Sequence, residues 1–286
     1  MKNLRRFLST VLAATIIAGG LVGCSSSNST STKSSNSSIE AIKKRGNIRI
    51  GVFSDKSPFG YVDSNGKNQG FDVYIAKRLA KDLLGDESKV KFVLVDAQSR
   101  VSYLQTNKVD IIMANFTVTD ERKQKVDFAN PYMKVSLGIV SPNNAQITSV
   151  EQLKGKKVIV AKGTTAETYM TKNLSDVQLV KFDQYSEIFE ALKDKRGDAL
   201  VSDNTEVLAW AKQNPGFTVG VASFGGQDTI APAVAKGNTE LLNWINKDLE
   251  SLGKENFIHK AYDETLKSTY GDKYEDNLVI EGGKLK

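Results

Sequence analysis

Residues 104–115 read LQTNKVDIIMAN and residues 192–203 read LKDKRGDALVSD, two stretches with one pattern. In each, an aspartate six positions after the leucine opens an apolar strand, and a polar residue, Asn115 or Asp203, closes it five positions later. A second pair of stretches, IKKRGNIRIG (42–51) and QLKGKKVIVA (152–161), leads in both cases from a helix end through glycine into a strand. Together these matches predict two lobes of like architecture.

Strands and helices alternate around these stretches. Alternating apolar residues predict a strand at 48–52, and apolar residues on one helical face predict a helix at 71–84 that ends at Gly85. Further strands are predicted at 90–95, 109–114, 158–161, 179–182 and 199–202, and further helices at 100–106, 165–174, 186–192 and 205–213. This alternation indicates an α/β fold with mainly parallel sheets and helices on both faces.

Two connections between the lobes are also rich in strand-forming residues. Residues 132–142 and 228–235 would let the chain leave the first lobe and return, with a closing helix at 238–260. Ligands of open α/β sheets bind beyond the carboxyl ends of the strands. Asn115 and Asp203 therefore fall at equivalent positions on two ligand-binding edges, and the sequence predicts a hinged clamp.

The first 38 residues are predicted to stand outside the folded part. Lys2, Arg5 and Arg6 precede an apolar run, residues 7–21, that is short for a membrane span. Small residues before Cys24 look like a lipobox, in which this cysteine is lipidated and becomes the mature amino terminus; an uncleaved anchor helix is the alternative. We divide the chain into a signal peptide (1–23), a Ser-rich tether (24–38), a first lobe (39–133 with 234–286) and a second lobe (134–233).

Composition argues against several classes of function. Cys24 is the only cysteine, so the folded part has no thiolate for catalysis and no disulfide. The formal net charge of +6 falls to about +3 without the signal-peptide cations, and the remaining charges are mixed in sign, which does not suggest nucleic-acid binding. His259 is interpreted as structural, and the sequence has no common metal, nucleotide or triad motif. We expect a monomer without a cofactor.

An arginine near the start of a short helix is the first candidate for a ligand contact. The stretch ANFTVTDER (114–122) places Thr119 at an N-cap and Arg122 at the third helical position. A helix amino terminus carries partial positive charge and free N–H groups, so a cation there indicates an anion that meets both. Arg122 is predicted to hold a carboxylate together with N–H groups near Thr117. A pair with Asp127, or a surface position, explains Arg122 equally well.

The second lobe contributes a matching set of groups. Gly163 allows close backbone approach, and Thr164 and Thr165 begin a helix whose N–H groups favour an anion, although an ordinary N-cap explains this motif better. Asp203 suits an ammonium group, or else caps the helix that follows it. One arginine and two helix termini for a carboxylate, with an aspartate for an amine, describe a free α-amino acid as the ligand.

Longer stretches resemble the polar amino-acid substrate-binding proteins of ABC importers. The lipobox, the tether, IRIGVF, NQGFDV, ANFTVTDER and GTT carry this resemblance, which covers essentially the whole mature chain. Within that family the chain is most similar to the cysteine-binding lipoproteins, at DKSPFGYVD, LLGDE, DKRGDAL, HKAYDETLK and VIEGGK. The resemblance implies a type II periplasmic-binding-protein fold, in which two α/β lobes joined by a two-strand hinge close on ligand. It also implies permease and ATPase subunits as partners.

The resemblance further implies roles for individual residues. Arg122 corresponds to the arginine that binds the α-carboxylate, and Asp203 to the partner of the α-amine. Lys56 and Ala97 stand where many relatives place an aromatic wall, so polar contacts from Lys56 or Arg100 are expected to replace stacking. The expected ligand-binding residues are Phe53, Lys56, Arg100, Asn115, Phe116, Thr117, Arg122, Gly163, Thr164, Thr165 and Asp203.

Several amino acids fit these expectations. Lys56 and Arg100 would suit aspartate or glutamate, unless the nearby Asp55 and Asp96 neutralise them. The resemblance favours L-cysteine, which we rank first, with acidic amino acids second and glutamine or cystine third. A dehydratase-like enzyme on the same fold is the alternative of a different class, but the sequence has few acid–base groups for it. We predict a lipid-anchored binding protein on the extracytoplasmic face of the membrane.

Overall fold

A computed structural model describes residues 37–285, in which strands and helices alternate. The signal peptide, Cys24 and residues 25–36 of the tether lie outside the described residues. The first series of elements is α1 (Ile39–Arg45), β1 (Ile48–Val52), β2 (Asp55–Lys56), β3 (Gly60–Val62), β4 (Asn68–Gln69), α2 (Phe71–Leu84), β5 (Val90–Leu94), α3 (Arg100–Gln105), β6 (Ile111–Ile112), α4 (Asp120–Lys123) and β7 (Val126–Phe128).

The second series begins with a long strand and ends with another. It consists of β8 (Met133–Pro142), β9 (Lys157–Ala161), α5 (Thr165–Asn173), β10 (Gln178–Phe182), α6 (Tyr185–Lys193), β11 (Ala199–Asp203), α7 (Asn204–Gln213) and β12 (Phe217–Ile230). The remaining elements are β13 (Ala233–Ala235), α8 (Thr239–Gly253), α9 (Phe257–Thr265), α10 (Lys267–Tyr270) and α11 (Glu275–Leu278).

Two five-stranded sheets share one topology. Their strand orders are β5-β1-β6-β13-β7 and β10-β9-β11-β8-β12, so each has three parallel strands followed by an antiparallel fourth. Residues 104–115 and 192–203 lead into the third parallel strand of each sheet, β6 and β11. The predicted fold of two like α/β lobes is therefore confirmed. The sheets are mixed, not mainly parallel, because chain segments at the lobe crossings join each sheet in the opposite direction.

The two crossing strands run side by side. β8 pairs antiparallel with β12, with Met133 opposite Ile230 and Val135 opposite Asp228. β12 shifts register between Val219 and Asp228, and such bulges bend a strand and increase its twist. After these shifts, at the end of β12, Ile230 forms an isolated bridge with Thr117 of the first lobe. The hinge therefore has two strands, as predicted, and we call β8 and β12 the hinge strands.

Helix α2 shows how local sequence builds the first lobe. Phe71, Ile75 and Leu79 have no exposed surface and recur every four residues, so they form one face against the buried β1 residues Ile48 and Ile50. The helix ends at Gly85, whose φ of 82° is the left-handed conformation that terminates many helices. Both ends of α2 agree with the prediction, because spacing and cap are local features.

The closing helix predicted at 238–260 is wrong in its length. It is two helices, α8 and α9, separated at Asn256, whose φ of 52° cannot continue a right-handed helix. Gly253 ends α8 where the chain meets Gly282, and a Cβ on Gly253 would lie 2.5 Å from the Gly282 Cα. The close approach of these two backbones marks the turn.

The folded part begins no later than Ser37, two residues before α1. Ser37 is fully buried, and its carbonyl accepts a hydrogen bond from the Asn238 side chain at 2.9 Å. Ser38 caps α1 through its hydroxyl, which accepts from the Ala41 N–H. No helix within residues 37–285 is long and apolar enough to cross a membrane.

Candidate functional site

The ends of the two third strands meet between the lobes. The Asn115 side-chain amide donates to the Asp203 Oδ2 at 2.7 Å, and both residues are buried. Asn115 has a φ of 43°, a left-handed conformation that asparagine tolerates better than most residues. Asp203 precedes α7, but its side chain makes no capping hydrogen bond. Asp203 is the N-cap residue of α7 by position, but the alternative in which its side chain caps this helix is wrong.

Lys56 reaches from the first lobe into an acidic cluster of the second. Its ammonium lies 2.7 Å from the Asp203 Oδ2, 3.4 Å from the Glu206 Oε2 and 3.1 Å from the Tyr185 hydroxyl. Burial opposes the charge, but the carboxylates of Asp203 and Glu206 raise the pKa of Lys56. Lys56 therefore stays charged, with Asp203 as its nearest carboxylate and Glu206 as a second acidic neighbour.

The expectation that Asp55 neutralises Lys56 is wrong. Asp55 accepts hydrogen bonds from the backbone N–H and the hydroxyl of Ser186, at 3.0 and 3.2 Å. Successive residues of a strand point to opposite sides of the sheet, so Asp55 and Lys56 face different neighbours. Adjacency in the sequence was therefore a poor guide to the partner of this lysine.

Glu206 is a buried carboxyl that the sequence did not single out. Its Oε2 accepts from the Ser202 hydroxyl and contacts Lys56, whereas its Oε1 has no hydrogen-bond partner within residues 37–285. Burial raises the pKa of Glu206 to about 7. An acidic residue in the first helical turn is so common that spacing alone did not mark it as part of a site.

Two arginines converge on one carbonyl across the cleft. Arg122 donates to the Gly163 carbonyl at 2.9 Å, and Arg100 donates to the same oxygen at 3.2 Å. Arg122 also donates to the Thr117 carbonyl at 2.8 Å. Burial, and then the proximity of Arg100, lower the pKa of Arg122 to about 9. Two neighbouring guanidiniums make this end of the cleft favourable for an anion.

The alternative partner for Arg122 is occupied elsewhere. Asp127 accepts from the Lys236 ammonium at 2.6 Å and from the Gly237 N–H at 2.7 Å. Thr119 caps α4 by accepting from the Arg122 N–H, as predicted. An ion pair between Arg122 and Asp127 is therefore excluded, and the side chain of Arg122 is directed into the cleft.

Arg100 is bound mainly to the backbone of its own lobe. It donates to the carbonyls of Ala97 at 2.9 Å, Ala114 at 3.0 Å and Asn115 at 3.3 Å, and it is 2% exposed. Asp96 accepts from the Ser99 N–H at 2.8 Å. Because its donors are used on carbonyls, Arg100 holds two loops of the first lobe together.

Aromatic rings line the site even though Lys56 and Ala97 are not aromatic. Phe53 meets Tyr185 of the second lobe edge to face, with ring centroids 5.0 Å apart. The guanidiniums of Arg100 and Arg122 lie 4.5 and 4.7 Å from the centre of the Phe116 ring. Tyr185 was missed in the sequence because it comes from the other lobe, 132 positions after Phe53 by residue number.

The amino terminus of α5 has an ordinary helix cap, and the residue after the cap lines a cavity. Thr164 caps the helix by accepting from the Glu167 N–H at 3.2 Å, and its hydroxyl donates to the Ala161 carbonyl. Gly163 has a φ of 74°, and a Cβ there would lie 2.6 Å from the Gln98 Cα, so the backbones do approach closely. Thr165 lines a cavity of about 510 Å³ with Phe116, Arg122 and Asp228.

The geometry defines a two-lobed solute-binding protein of the type II periplasmic-binding fold, with its polar groups in the cleft. Residues 48–268 match the model of the bacterial extracellular solute-binding proteins, family 3. The chain belongs to this family and is an amino-acid solute-binding protein of the ABC-transporter type.

Relatives and solved structures of this kind match the chain over most of their own length. The chain is 33% identical to the ABC transporter glutamine-binding protein GlnH of Bacillus subtilis over 269 residues, which are 93% of this chain and 98% of the relative. The solute receptor for L-cysteine of Neisseria gonorrhoeae is 55% identical, with a TM-score of 0.84 over 85% of this chain and 100% of that one. The cysteine-binding protein of Campylobacter jejuni has the same identity and TM-score over 85% and 98%.

Proposed function

We propose that this protein binds L-cysteine between its lobes and delivers it to the permease of an ABC importer. The observation that carries the ligand assignment is the 55% identity to a receptor for L-cysteine along that receptor's whole length. The bound amino acid lies where Arg122 and Asp203 face the cleft. The two lobes, residues 39–133 with 234–286 and residues 134–233, close around it through the hinge strands.

One end of the site binds the α-carboxylate. Arg122 supplies the guanidinium, and Gly163, Thr164 and Thr165 at the start of α5 supply the second lobe's contribution. In the bridge between Thr117 and Ile230, the hydrogen bonds are formed by the residues on either side of Thr117 and not by Thr117 itself. The N–H of Thr117 therefore points away from Ile230. A ligand carboxylate accepts hydrogen bonds from the Arg122 guanidinium and these N–H groups more strongly than the neutral Gly163 carbonyl does.

The other end of the site binds the α-amine. Asp203 supplies the carboxylate, and the Asn115 Oδ1 is a buried acceptor without a hydrogen-bond partner among the described residues. An ammonium has three donors and can use both. Phe53, Phe116 and Lys56 surround the side chain of the ligand, and Arg100 lies against the two phenylalanine rings.

The charge balance of the cleft favours a neutral side chain over an acidic one. Lys56 is already compensated by Asp203 and Glu206, and Arg100 is bound to backbone carbonyls. The advantage that these cations would give aspartate or glutamate is therefore much reduced. Glutamine is the second candidate, because a relative at 33% identity is a glutamine-binding protein.

The deciding experiment is competitive calorimetric titration of the purified protein under reducing conditions. L-cysteine is expected to bind at least about tenfold more tightly than glutamine, cystine, aspartate or glutamate, a difference of about 1.4 kcal/mol. Tighter binding of any of the others would replace cysteine as the ligand. Conversion of the bound amino acid during the titration would favour the dehydratase-like alternative.

The proposal includes attachment to the membrane. Cys24 carries lipid and forms the mature amino terminus, and the Ser-rich tether separates the anchor from the folded lobes on the extracytoplasmic side. The pattern of cations, apolar run and small residues before Cys24 supports this assignment.

A further inference from the structure

A buried carboxyl group lies directly behind Asn115. Asp72, in the first turn of α2, has no exposed surface. Its Oδ2 accepts from the Asn115 backbone N–H at 2.7 Å, and its Oδ1 accepts from the Tyr132 hydroxyl at 2.6 Å. Both oxygens of this side chain are therefore engaged by donors, one from the site and one from the hinge.

The bond to Asn115 acts on a backbone that is not in its most stable conformation. A left-handed φ of 43° costs free energy in a residue other than glycine, and surrounding structure must hold it in place. This conformation directs the Asn115 side chain to Asp203, 88 residues later in the chain. The hydrogen bond from the Asn115 N–H to Asp72 is a contact that fixes it.

Tyr132 stands where the hinge strands and the carboxyl-terminal segment meet. It directly precedes β8, its N–H donates to the Ile230 carbonyl at 3.0 Å, and its own carbonyl accepts from the Ile280 N–H at 3.0 Å. Its hydroxyl points the other way, into the first lobe and onto Asp72. Tyr132 thus joins the hinge to the carboxyl group that holds Asn115.

We propose that Asp72 is a positioning residue for ligand binding, which holds Asn115 toward the ligand and couples it to the hinge through Tyr132. This inference rests on the proposed function, because it assigns Asn115 to the ligand. Asp72 itself touches no ligand. It acts through two hydrogen bonds, one on each carboxylate oxygen, which are strongest when the group is ionised.

Protonation of Asp72 should change the ligand affinity, which it would not do if the role of Asp72 were purely structural. Burial raises the pKa of Asp72 to about 7, against the hydrogen bonds from Tyr132 and Asn115 and the through-space effects of Lys56 and Arg100. Once protonated, the carboxyl donates through one oxygen to the Tyr132 hydroxyl, and its other oxygen accepts from the Asn115 N–H more weakly, because that bond is no longer charge-assisted. Ligand affinity is therefore expected to fall as the pH falls through 7.

Burial also raises the pKa of Glu206, so its effect on ligand affinity must be separated from that of Asp72. Glu206 faces Lys56 and Asp203 in the second lobe, and burial raises its pKa to about 7 as well. We therefore expect two components in the pH profile of ligand affinity for the wild type. Glu206→Gln removes one of them and leaves the contribution of Asp72.

The test is calorimetric titration with L-cysteine under reducing conditions from pH 5.5 to 7.5, below the range in which the thiol of the ligand ionises. In the Glu206→Gln background, Asp72→Asn should weaken binding about tenfold at pH 7.5 and abolish the remaining pH dependence. Tyr132→Phe should shift the midpoint to higher pH, because the hydroxyl bond lowers the pKa of Asp72.

The matched control is Asp248→Asn, which removes another carboxyl whose pKa burial raises to about 7, on α8. It should leave the affinity and its pH profile unchanged. Variants at 72 and 132 that lose thermal stability but keep the wild-type affinity and midpoint would overturn the inference and leave the proposed function intact. Failure of the wild type to bind any amino acid would overturn both.

Discussion

Asn115 and Asp203 occupy the same place in the two sheets, and their side chains are joined by a hydrogen bond of 2.7 Å. Each follows or ends the third parallel strand of its lobe, at the carboxyl edge where ligands of such sheets bind. The internal match between residues 104–115 and 192–203 therefore has a structural counterpart. Equivalent positions of two like lobes meet face to face and form the polar centre of the cleft.

The first prediction concerns the two ends of the ligand. Arg122→Ala and Asp203→Asn should each weaken amino-acid binding at least about a hundredfold, since loss of a buried charged partner costs about 3 kcal/mol. Calorimetric titration of each variant measures this directly. Lys125→Ala is the control, because Lys125 lines the cavity near Arg122 but pairs with the exposed Glu121. Near-wild-type affinity in either well-folded site variant would place the ligand elsewhere.

The second prediction concerns the ion pair between the lobes. Lys56→Met leaves Asp203 and Glu206 buried without a cation and should lower the free energy of unfolding by about 3 to 5 kcal/mol. Glu206→Gln removes one of the two unpaired carboxyls, so it should restore part of that loss when combined with Lys56→Met. Urea unfolding of the wild type, both single variants and the double variant gives the coupling energy.

A control with an exposed lysine distinguishes this coupling from a general effect of charge. Lys67→Met changes the net charge equally but removes a surface side chain, and it should leave the unfolding free energy nearly unchanged. Strict additivity of Lys56→Met and Glu206→Gln would mean that the two side chains do not interact energetically across the cleft.

Local features of the fold were predictable from sequence. The limits of α2 follow from the spacing of Phe71, Ile75 and Leu79 and from Gly85, and the cap at Thr119 follows from residue type. Each of these depends on interactions within a few residues. The strand predicted at 109–114 is shorter in the structure, β6 at Ile111–Ile112, because pairing with β1 and β13 is confined to that part of the stretch.

Partners of buried charges were not predictable in the same way. Lys56 pairs with carboxylates about 150 positions later in the chain, and Arg100 spends its donors on backbone carbonyls. Tertiary packing decides which groups lose water and which donors they find there. Proximity in sequence suggested Asp55 for Lys56, whereas the packing of the two lobes placed Asp203 and Glu206 beside it.

The third prediction concerns attachment to the membrane. Cys24→Ala should release the protein from membranes or leave its signal peptide uncleaved, because no other thiol exists to carry the lipid. Fractionation of cells that express the full chain, with mass spectrometry of the mature amino terminus, measures both outcomes. Ligand affinity of the soluble part should not change. A wild-type mature protein without lipid, beginning at another residue, would exclude the lipoprotein assignment.

The last prediction concerns a half-buried carboxyl of the first lobe. Asp248 lies in α8, its Oδ2 has no hydrogen-bond partner among residues 37–285, and burial with the nearby Asp82 raises its pKa to about 7. An unfolded chain releases this proton near pH 4 and the folded chain near pH 7, so the folded state loses stability as the pH rises between these values. Asp248→Asn removes the penalty. The variant should be more stable than the wild type by about 1 to 2 kcal/mol at pH 8, and by less at pH 5, in thermal unfolding scans.

The control is Glu250→Gln, which removes an exposed carboxyl on the same helix and should keep the pH dependence of the wild type. If Asp248→Asn gained the same stability at both pH values, the effect would come from packing and not from the proton.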